Sequence, residues 1–187
     1  MQIVLLRHGE PLIDKQGRIT AAQFGHWLKQ YDMAGLKPNN HIPSASFEIA
    51  AQSQCIVCSH LPRSIESAYG LGLKTIHHQD ALFKECEMPY WNKAGISLSK
   101  MNWSILFRVL QIIGHSPHAE SLADIRHRAD QCVSELISLA QQHNKVLFVG
   151  HGAIIWFIHR RLKRLGWYCP KKAPRHYWQF GVYQPTP

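Results

Sequence analysis

The sequence lacks long hydrophobic runs, internal repeats and a cysteine framework. None of its apolar segments approaches the about 20 residues that a membrane-spanning helix needs, so no membrane partner is expected. The first seven residues carry neither a basic leader nor a small-residue cleavage site, which makes the cytoplasm the expected compartment. The five cysteines are an odd number in a chain of 187 residues and do not indicate a disulfide scaffold.

One pair of cysteines has the spacing of a metal-binding knuckle. Cys55 and Cys58 bracket two apolar residues, but no second pair follows them. The segment has the composition of a strand, in which residues three apart point to opposite faces. No zinc site is therefore expected from this pair.

Acidic residues are also few. Twelve of them stand against 21 lysines and arginines, which gives a net charge of +9 without the 13 histidines. This excess favours anionic partners such as phosphates, nucleic acid or acidic surfaces. No recognisable nucleic-acid-binding motif accompanies the charge, so nucleic acid is the disfavoured partner.

Short apolar runs alternate with amphipathic segments. The runs at residues 3–6, 56–58 and 146–149 are continuous, which is typical of parallel strands buried on both faces. Two further strands are predicted at residues 75–77 and 177–183. Helices are predicted at residues 20–31, 63–71, 120–142 and 153–165, the first with a Thr20–Gln23 capping box and the last closed by Gly166. The order predicts an α/β fold, namely a three-layer α/β/α sandwich with a mostly parallel sheet.

Residues 90–118 interrupt this alternation. They are predicted to form a small helical cap inserted into a single domain that spans residues 1–187. We expect one apolar stripe of the cap helix to pack on the sandwich, and we expect the cap's aromatic residues to lie near the pocket and select the substrate. The stripe comprises Met101, Ile105, Leu106, Val109, Leu110 and Ile113, and the aromatic residues are Tyr90, Trp91, Trp103 and Phe107.

Histidines and arginines follow the predicted strands. Arg7 and His8 end the first run, His151 ends the last, and Arg63 opens the helix after the middle run. Because ligands bind outside the carboxyl ends of parallel strands, these four side chains are expected to converge at one edge of the sheet.

Such a cluster is suited to phosphoryl transfer. Guanidinium groups match phosphate oxygens, and helix N-termini beyond Gly9 and Gly152 would add backbone amides. A neutral imidazole can attack phosphorus, and a second, cationic imidazole would stabilise the charge on the phosphate. Glu85 or Glu87 could supply the acid that protonates the leaving oxygen.

Four blocks resemble the histidine phosphatase superfamily, the phosphoglycerate-mutase-like group. They occur in the family's order: Leu6-Arg7-His8-Gly9-Glu10, then Ser59 to Ala68, then Ala119-Glu120-Ser121, then Val149-Gly150-His151-Gly152. The opening through Pro11 also occurs among α-ribazole-phosphatase-like members. The resemblance implies a phosphatase that forms a phosphohistidine and uses no metal and no cofactor. Its partner would be a small phosphorylated substrate or a phosphoprotein, and nothing in the sequence indicates an oligomeric state.

The resemblance also implies roles for individual residues. His8 would be the nucleophile, Glu85 the general acid in preference to Glu87, and His151 a catalytic partner. Arg7, Arg63 and His151 would form the phosphate pocket, and Gly9 and Gly152 would also bind the phosphate.

Three positions depart from the family's pattern. Asp14 stands where mutase members carry an asparagine, and a carboxylate facing the pocket would repel a phosphate. His60 replaces the usual aspartate of the second block, and residues 88–91 replace a glycine-rich stretch. These changes disfavour a phosphomutase. A metal-dependent phosphohydrolase is the other enzymatic alternative, although two arginines would place fixed cations beside its metal. Its ligands would be His8, Glu10, Glu85 and His151.

Overall fold

A six-stranded sheet forms the centre of the computed structural model, which describes residues 1–186. The strands in chain order are β1 (Gln2–Arg7), β3 (Cys55–Cys58), β4 (His78–Gln79), β6 (Lys145–Gly150), β7 (Trp167–Tyr168) and β8 (Phe180–Pro185). They lie in the order β4-β3-β6-β1-β8-β7. β2 (Arg18–Ile19) and β5 (Leu98–Ser99) form a separate antiparallel pair.

The centre of the sheet is parallel. β1 pairs with β6, β6 with β3, and β3 with β4 in parallel, whereas β8 runs antiparallel to β1 and β7 antiparallel to β8. The helices are α1 (Ala21–Met33), α2 (Ser44–Ala51), α3 (Pro62–Gly70), α4 (Lys100–Ile112), α5 (Leu122–His143) and α6 (Gly152–Arg164). Among residues 1–186, none of these helices is long and apolar enough to cross a membrane.

Two apolar layers cover the sheet. α5 and α6 pack on one face, against residues such as Leu5 and Phe148, and α2 and α3 pack on the other, against Leu6 and Val149. The predicted three-layer sandwich is therefore confirmed. Cys55 belongs to the first layer and Cys58 to the second, so the two thiols point to opposite faces as predicted.

A third apolar cluster joins α1 to α4. Trp103 and Phe107 of α4 pack against Ala21 and Phe24 of α1, outside the two layers of the sandwich. The Thr20 hydroxyl and the Gln23 side chain form the predicted capping box at the start of α1. The cap helix thus rests on α1 rather than on the sheet layers.

The predicted packing face of α4 is wrong in part. Met101, Ile105, Val109 and Ile113 are exposed, and only Leu106 and Leu110 of the expected stripe pack into the cluster with α1. The aromatic residues predicted to be available to a substrate, Trp103 and Phe107, are instead fully buried. Two stripes of α4 have helical spacing, and the one with the larger aromatic surface is the one that is buried.

Two predicted strands are displaced. The strand expected at residues 75–77 is formed by His78 and Gln79. The strand expected at residues 177–183 begins at Phe180, because Trp178 has a φ of 63° and lies in the left-handed region, which no strand uses. Residues 177–179 therefore form a turn beside the carboxyl edge of the sheet.

Trp103→Ala is expected to destabilise the protein by about 3–5 kcal/mol, the range for removing a large buried side chain. The indole is 1% exposed, stacks on Phe107, and donates its Nε1–H to the carbonyl of Ile19 at 2.7 Å. Urea unfolding followed by circular dichroism would measure the change. Met101→Ala, on the exposed face of the same helix, is the control and should change stability by no more than about 0.5 kcal/mol. Equal small losses in both variants would contradict the packing of α4 on α1.

Candidate active site

The two histidines lie side by side because their strands are neighbours. β1 and β6 are paired in register up to Arg7 and Gly150, so His8 and His151 follow at the same level of the parallel edge. The backbone amide of His8 donates to the carbonyl of Gly150 at 2.9 Å. The two ring centroids are 5.0 Å apart, and both side chains are buried.

A hydrogen bond fixes the tautomer of His8. Its Nδ1 lies 2.6 Å from the carbonyl oxygen of Gly9. A carbonyl oxygen can only accept, so Nδ1 must carry the proton. The lone pair therefore resides on Nε2, which is the atom able to attack phosphorus.

Both imidazoles are held neutral. Burial is the main cause that lowers the pKa of His8, and the charges of His151 and Arg63 add to it. Burial also lowers the pKa of His151, followed by the charges of Arg63 and Arg7. A neutral His8 is what a nucleophile requires. Burial between two guanidinium groups opposes the protonation of His151 in the free protein, whereas the sequence predicts a cationic His151 when phosphate is bound.

Ser59 orients His151. The Ser59 hydroxyl lies 2.6 Å from His151 Nε2 and accepts the backbone N–H of Leu61 at 3.2 Å. Since the hydroxyl already accepts from Leu61, it can donate its own hydrogen to Nε2. When it does so, the proton of the neutral ring lies on Nδ1, which is buried and has no partner within residues 1–186. His151 can therefore offer a hydrogen-bond donor without becoming charged.

Arg63 is a fully buried cation. It lies in the first turn of α3, and its guanidinium sits 4.5 Å from the ring centre of Tyr31. Its Nη1 donates to the carbonyl of Tyr31 at 2.8 Å, and its Nη2 lies 3.4 Å from the Asp32 carboxylate. These contacts leave Nε without a partner among the described residues. The C-terminal end of α1 thus holds Arg63 at the edge of the sheet.

Arg7 is the second cation of the cluster. Its guanidinium lies over the ring of Tyr177 at 4.6 Å, and its Nη1 donates to the carbonyl of Arg175. The Tyr177 ring also lies 5.7 Å from the His8 ring. The turn that displaces the predicted last strand therefore supplies one wall of the site.

Three buried nitrogens share one property. The Nε atoms of Arg7 and Arg63 and the Nδ1 of His151 find no hydrogen-bond partner within residues 1–186. Buried donors are normally paired, because an unpaired one loses the hydrogen bonds of water without replacement. All three nitrogens belong to side chains whose charges lower the pKa of His8 or of His151. A tetrahedral oxyanion is a ligand that can accept from several such donors at once.

Of the two glycines expected to precede a helix, only Gly152 does so. No helix begins after Gly9, whose amide donates to the Ser67 hydroxyl at 2.9 Å. A Cβ on Gly9 would lie 2.2 Å from the Trp178 ring, so close packing requires the glycine. Gly152 does begin α6, and a Cβ there would lie 3.3 Å from the Arg7 guanidinium carbon.

Glu85 lies at the start of α6. Its carboxylate accepts the backbone N–H groups of Ala153 and Ile154 at 3.1 Å each, immediately after His151. These amides, which were expected to face a phosphate, are therefore occupied by the carboxyl group of Glu85. The sequence alone does not predict this contact, since Glu85 and the start of α6 are far apart in the chain.

Glu87 faces elsewhere. Its carboxylate lies 2.5 Å from the Lys84 ammonium group and accepts the backbone N–H of Glu120 at 3.0 Å. Two local partners thus occupy its oxygens. Of the two candidate acids, Glu85 is the one adjacent to the histidine pair.

An ion pair positions the segment that carries Glu85. Arg128 of α5 makes a bidentate contact with Glu120, at 2.6 and 2.7 Å, and donates to the carbonyls of Leu82 and Lys84 at 2.9 Å. Both charged side chains are nearly buried. The pair accounts for the Ala119-Glu120-Ser121 block, because Glu120 holds the arginine that fixes the backbone just before Glu85.

The unusual Asp14 does not stand as a free negative charge. The Lys100 ammonium group donates to the Asp14 carboxylate at 2.9 Å and also contacts the carbonyls of Asp14 and Gln16. The hydrogen bond from Lys100 is the main cause that lowers the pKa of Asp14. The cap helix α4 therefore anchors the loop at Asp14. His60, the other departure, is exposed.

The ligand set of the metal-dependent alternative does not assemble. Among residues 1–186, the one group of histidine, cysteine or acidic side chains with ligand atoms close together lies elsewhere, at Cys55, His78 and His143. Glu10 instead pairs with Lys15 at 2.9 Å. The charges that lower the pKa of His8 and of His151 include those of Arg63 and Arg7.

Several residues of the site were missed by the sequence analysis: Ser59, Tyr31, Asp32, Ser67, Arg128, Arg175 and Tyr177. Ser59 and Ser67 flank Arg63 within the second block, so their position was a usable signal. The others come from distant segments and have no local pattern that marks them.

The family model of the histidine phosphatase superfamily (branch 1) matches residues 45–179 of the chain. The match covers more than two thirds of the sequence and includes Arg63, Glu85 and His151. The chain therefore belongs to the histidine phosphatase superfamily and is an enzyme of this class. The Arg7-His8 block lies before the matched segment, and the pairing of β1 with β6 joins it to His151. Comparison with curated protein sequences gave no match.

Solved structures of phosphatases have the same fold. A mycobacterial glucosyl-3-phosphoglycerate phosphatase is 20% identical with a TM-score of 0.63, and the alignment covers 97% of this chain and 90% of that one. A mutant phosphoserine phosphatase from Entamoeba histolytica, bound to phosphoserine, is 20% identical with a TM-score of 0.59 over 97% and 89%. A candidate α-ribazole-5′-P phosphatase from Escherichia coli is 14% identical with a TM-score of 0.56 over 87% and 80%. At these identities the likeness shows the fold.

Proposed function

We propose that the chain hydrolyses phosphoric monoesters through a phosphohistidine on Nε2 of His8. The main support for the proposal is that the imidazole ring of His8 is held in one orientation and in one protonation state. Nδ1–H donates to the Gly9 carbonyl, and burial beside His151 and Arg63 keeps the imidazole neutral, so the nucleophilic lone pair is present and fixed. The same hydrogen bond would stabilise the positive charge that the ring acquires when it attacks.

The reaction has two steps. In the first, Nε2 of His8 forms a bond to phosphorus, the ester P–O bond breaks, and Glu85 gives its proton to the leaving alcohol oxygen. In the second, a water molecule gives a proton to Glu85 while the water oxygen attacks phosphorus. The N–P bond breaks, and inorganic phosphate leaves. His8 and Glu85 return to their starting states, and no metal takes part.

The remaining polar groups bind the phosphate. Arg7, Arg63 and the Nδ1–H of His151 supply donors for its oxygens, which gain charge as the transition state forms. The neutral state of His151 is compatible with this role, because a neutral N–H donor needs no proton from solvent. Gly152 contributes by leaving room for the Arg7 guanidinium.

The cap and its neighbouring loop would form the side of the pocket that contacts the non-phosphate part of the substrate. A cavity of about 350 Å³ is lined by residues 10–14 and Lys37, directly after the His8 block. Lys100 of the cap holds this loop at Asp14. We assign the non-phosphate part of a small phosphorylated substrate to this side, so residues 90–118 would act on substrate choice within a single domain.

Turnover of an activated aryl phosphate should persist when a chelator is present. The charges needed to bind the phosphate come from Arg7 and Arg63, so removal of divalent metal should leave the rate within about twofold. Loss of a catalytic metal would slow the reaction far more, because such a metal stabilises the transition state by several kcal/mol. The measurement is release of the phenol by dialysed protein with and without chelator. Activity that appears only after a divalent metal is added would favour the metal-dependent alternative.

A further inference from the structure

A second group of chemically reactive side chains lies at the opposite edge of the sheet. Cys55, His78 and His143 bring one sulfur and two imidazole nitrogens within 4.8 Å of one another. Cys55 is buried, and both histidines are half-buried. No residue of this group belongs to the catalytic cluster.

The strand pairing explains why the three meet. β3 and β4 are parallel, with Val57 opposite His78, so His78 lies on the same face as Val57 and Cys55. α5 covers that face, and His143 is its last residue. The three ligands thus come from three elements whose positions are fixed independently by the core.

We propose that Cys55, His78 and His143 bind a zinc-class divalent cation. A thiolate and two imidazoles are preferred ligands of zinc, whereas magnesium and calcium require oxygen. Separations of up to 4.8 Å need only small side-chain movements to reach the usual bond lengths of about 2.0–2.3 Å around one ion. The fourth position of the tetrahedron would be filled by water, since both histidines are partly open to solvent.

The site lies apart from the residues of the proposed chemistry. Cys55 begins β3, and Ser59, which contacts His151, follows its end. At about 3.3 Å per residue the two lie roughly 13 Å apart. A bound ion would tie the short edge strand β4 to β3 and to the end of α5. Because the unfolded chain does not hold the three ligands together, binding would stabilise the folded state and leave turnover unchanged.

Titration of the metal-free protein with Zn²⁺ against a chromophoric chelator tests the proposal. The wild type should bind one tight equivalent, and the melting temperature should rise. His143→Gln should weaken binding by at least about 10–100-fold, the loss already seen when only outer-shell partners are removed. His127→Gln, an exposed histidine on the same helix, is the matched control and should bind as the wild type does.

Cobalt identifies the sulfur ligand. Co²⁺ in the wild type should give a thiolate-to-metal charge-transfer band, which Cys55→Ser should lose. If Cys55→Ser does not fold, weakening of the band in His143→Gln and in His78→Gln provides the same test. Equal zinc affinity in His143→Gln and His127→Gln would overturn the proposal. If the one tight equivalent of zinc still binds to His143→Gln and inhibits turnover, the ion lies at the active-site histidines, and this result would also overturn the proposal.

Discussion

His8→Ala should abolish the phosphoenzyme and lower turnover by a factor on the order of 10⁴ or more, as removal of a covalent nucleophile does in other enzymes. In the wild type, rapid quenching during turnover should trap a phosphoryl group that is stable to alkali and labile to acid, as a phosphoramidate is. The loss should be this large because the hydrogen bond from His8 Nδ1 to the Gly9 carbonyl leaves the lone pair on His8 Nε2, whereas Ser59 occupies Nε2 of His151.

Two comparisons make this experiment decisive. His127→Ala, which removes an exposed imidazole from α5, should keep both the phosphoenzyme and the rate. Far-ultraviolet circular dichroism should show that His8→Ala remains folded. A protein-bound phosphoryl group that survives acid, or one that is still formed in His8→Ala, would contradict a phosphohistidine at this residue.

Glu85→Gln should slow an alkyl phosphate roughly 10²–10⁴-fold and an activated aryl phosphate much less, because a general acid matters most when the leaving group is poor. The substitution is chosen for its geometry. The glutamine keeps a carbonyl oxygen that can accept from the Ala153 and Ile154 amides, so the start of α6 stays capped while the transferable proton is lost.

Companion variants separate chemistry from structure. Glu85→Ala removes the cap as well and should cost about 1 kcal/mol of stability in addition to the rate. Glu87→Gln should leave the ratio of the two substrates unchanged, because that carboxylate is bound to Lys84 and to the Glu120 amide. If Glu85→Gln slows both substrates equally, Glu85 is a helix cap and not the acid.

The sequence predicts the scaffold of the site well. Continuous apolar runs identify β1, β3 and β6, and the rule for parallel sheets then places His8, His151 and Arg63 at one edge. This works because the information is local: a strand and the residue that follows it are adjacent in the chain.

The sequence predicts poorly wherever two solutions satisfy the same pattern. α4 carries two apolar stripes, and only the presence of α1 decides that Trp103 is buried and Met101 exposed. The last strand starts late because Trp178 packs on Gly9 in a left-handed conformation, which β-propensity does not reveal. Ser59 and Arg128 act through partners distant in sequence, so no short motif marks them.

The buried imidazole pair also links the active site to the response of the fold to acid. In the folded protein, burial holds the pKa of His8 and of His151 below 6.5, whereas an unfolded chain returns both rings to water and to that ordinary value. As the pH falls below about 6.5, unfolding is therefore accompanied by the uptake of protons that the folded state does not bind. Stability contributed by the neutral pair is present above this pH and declines beneath it. The burial that keeps His8 neutral and nucleophilic thus also lowers the stability of the folded protein in mild acid.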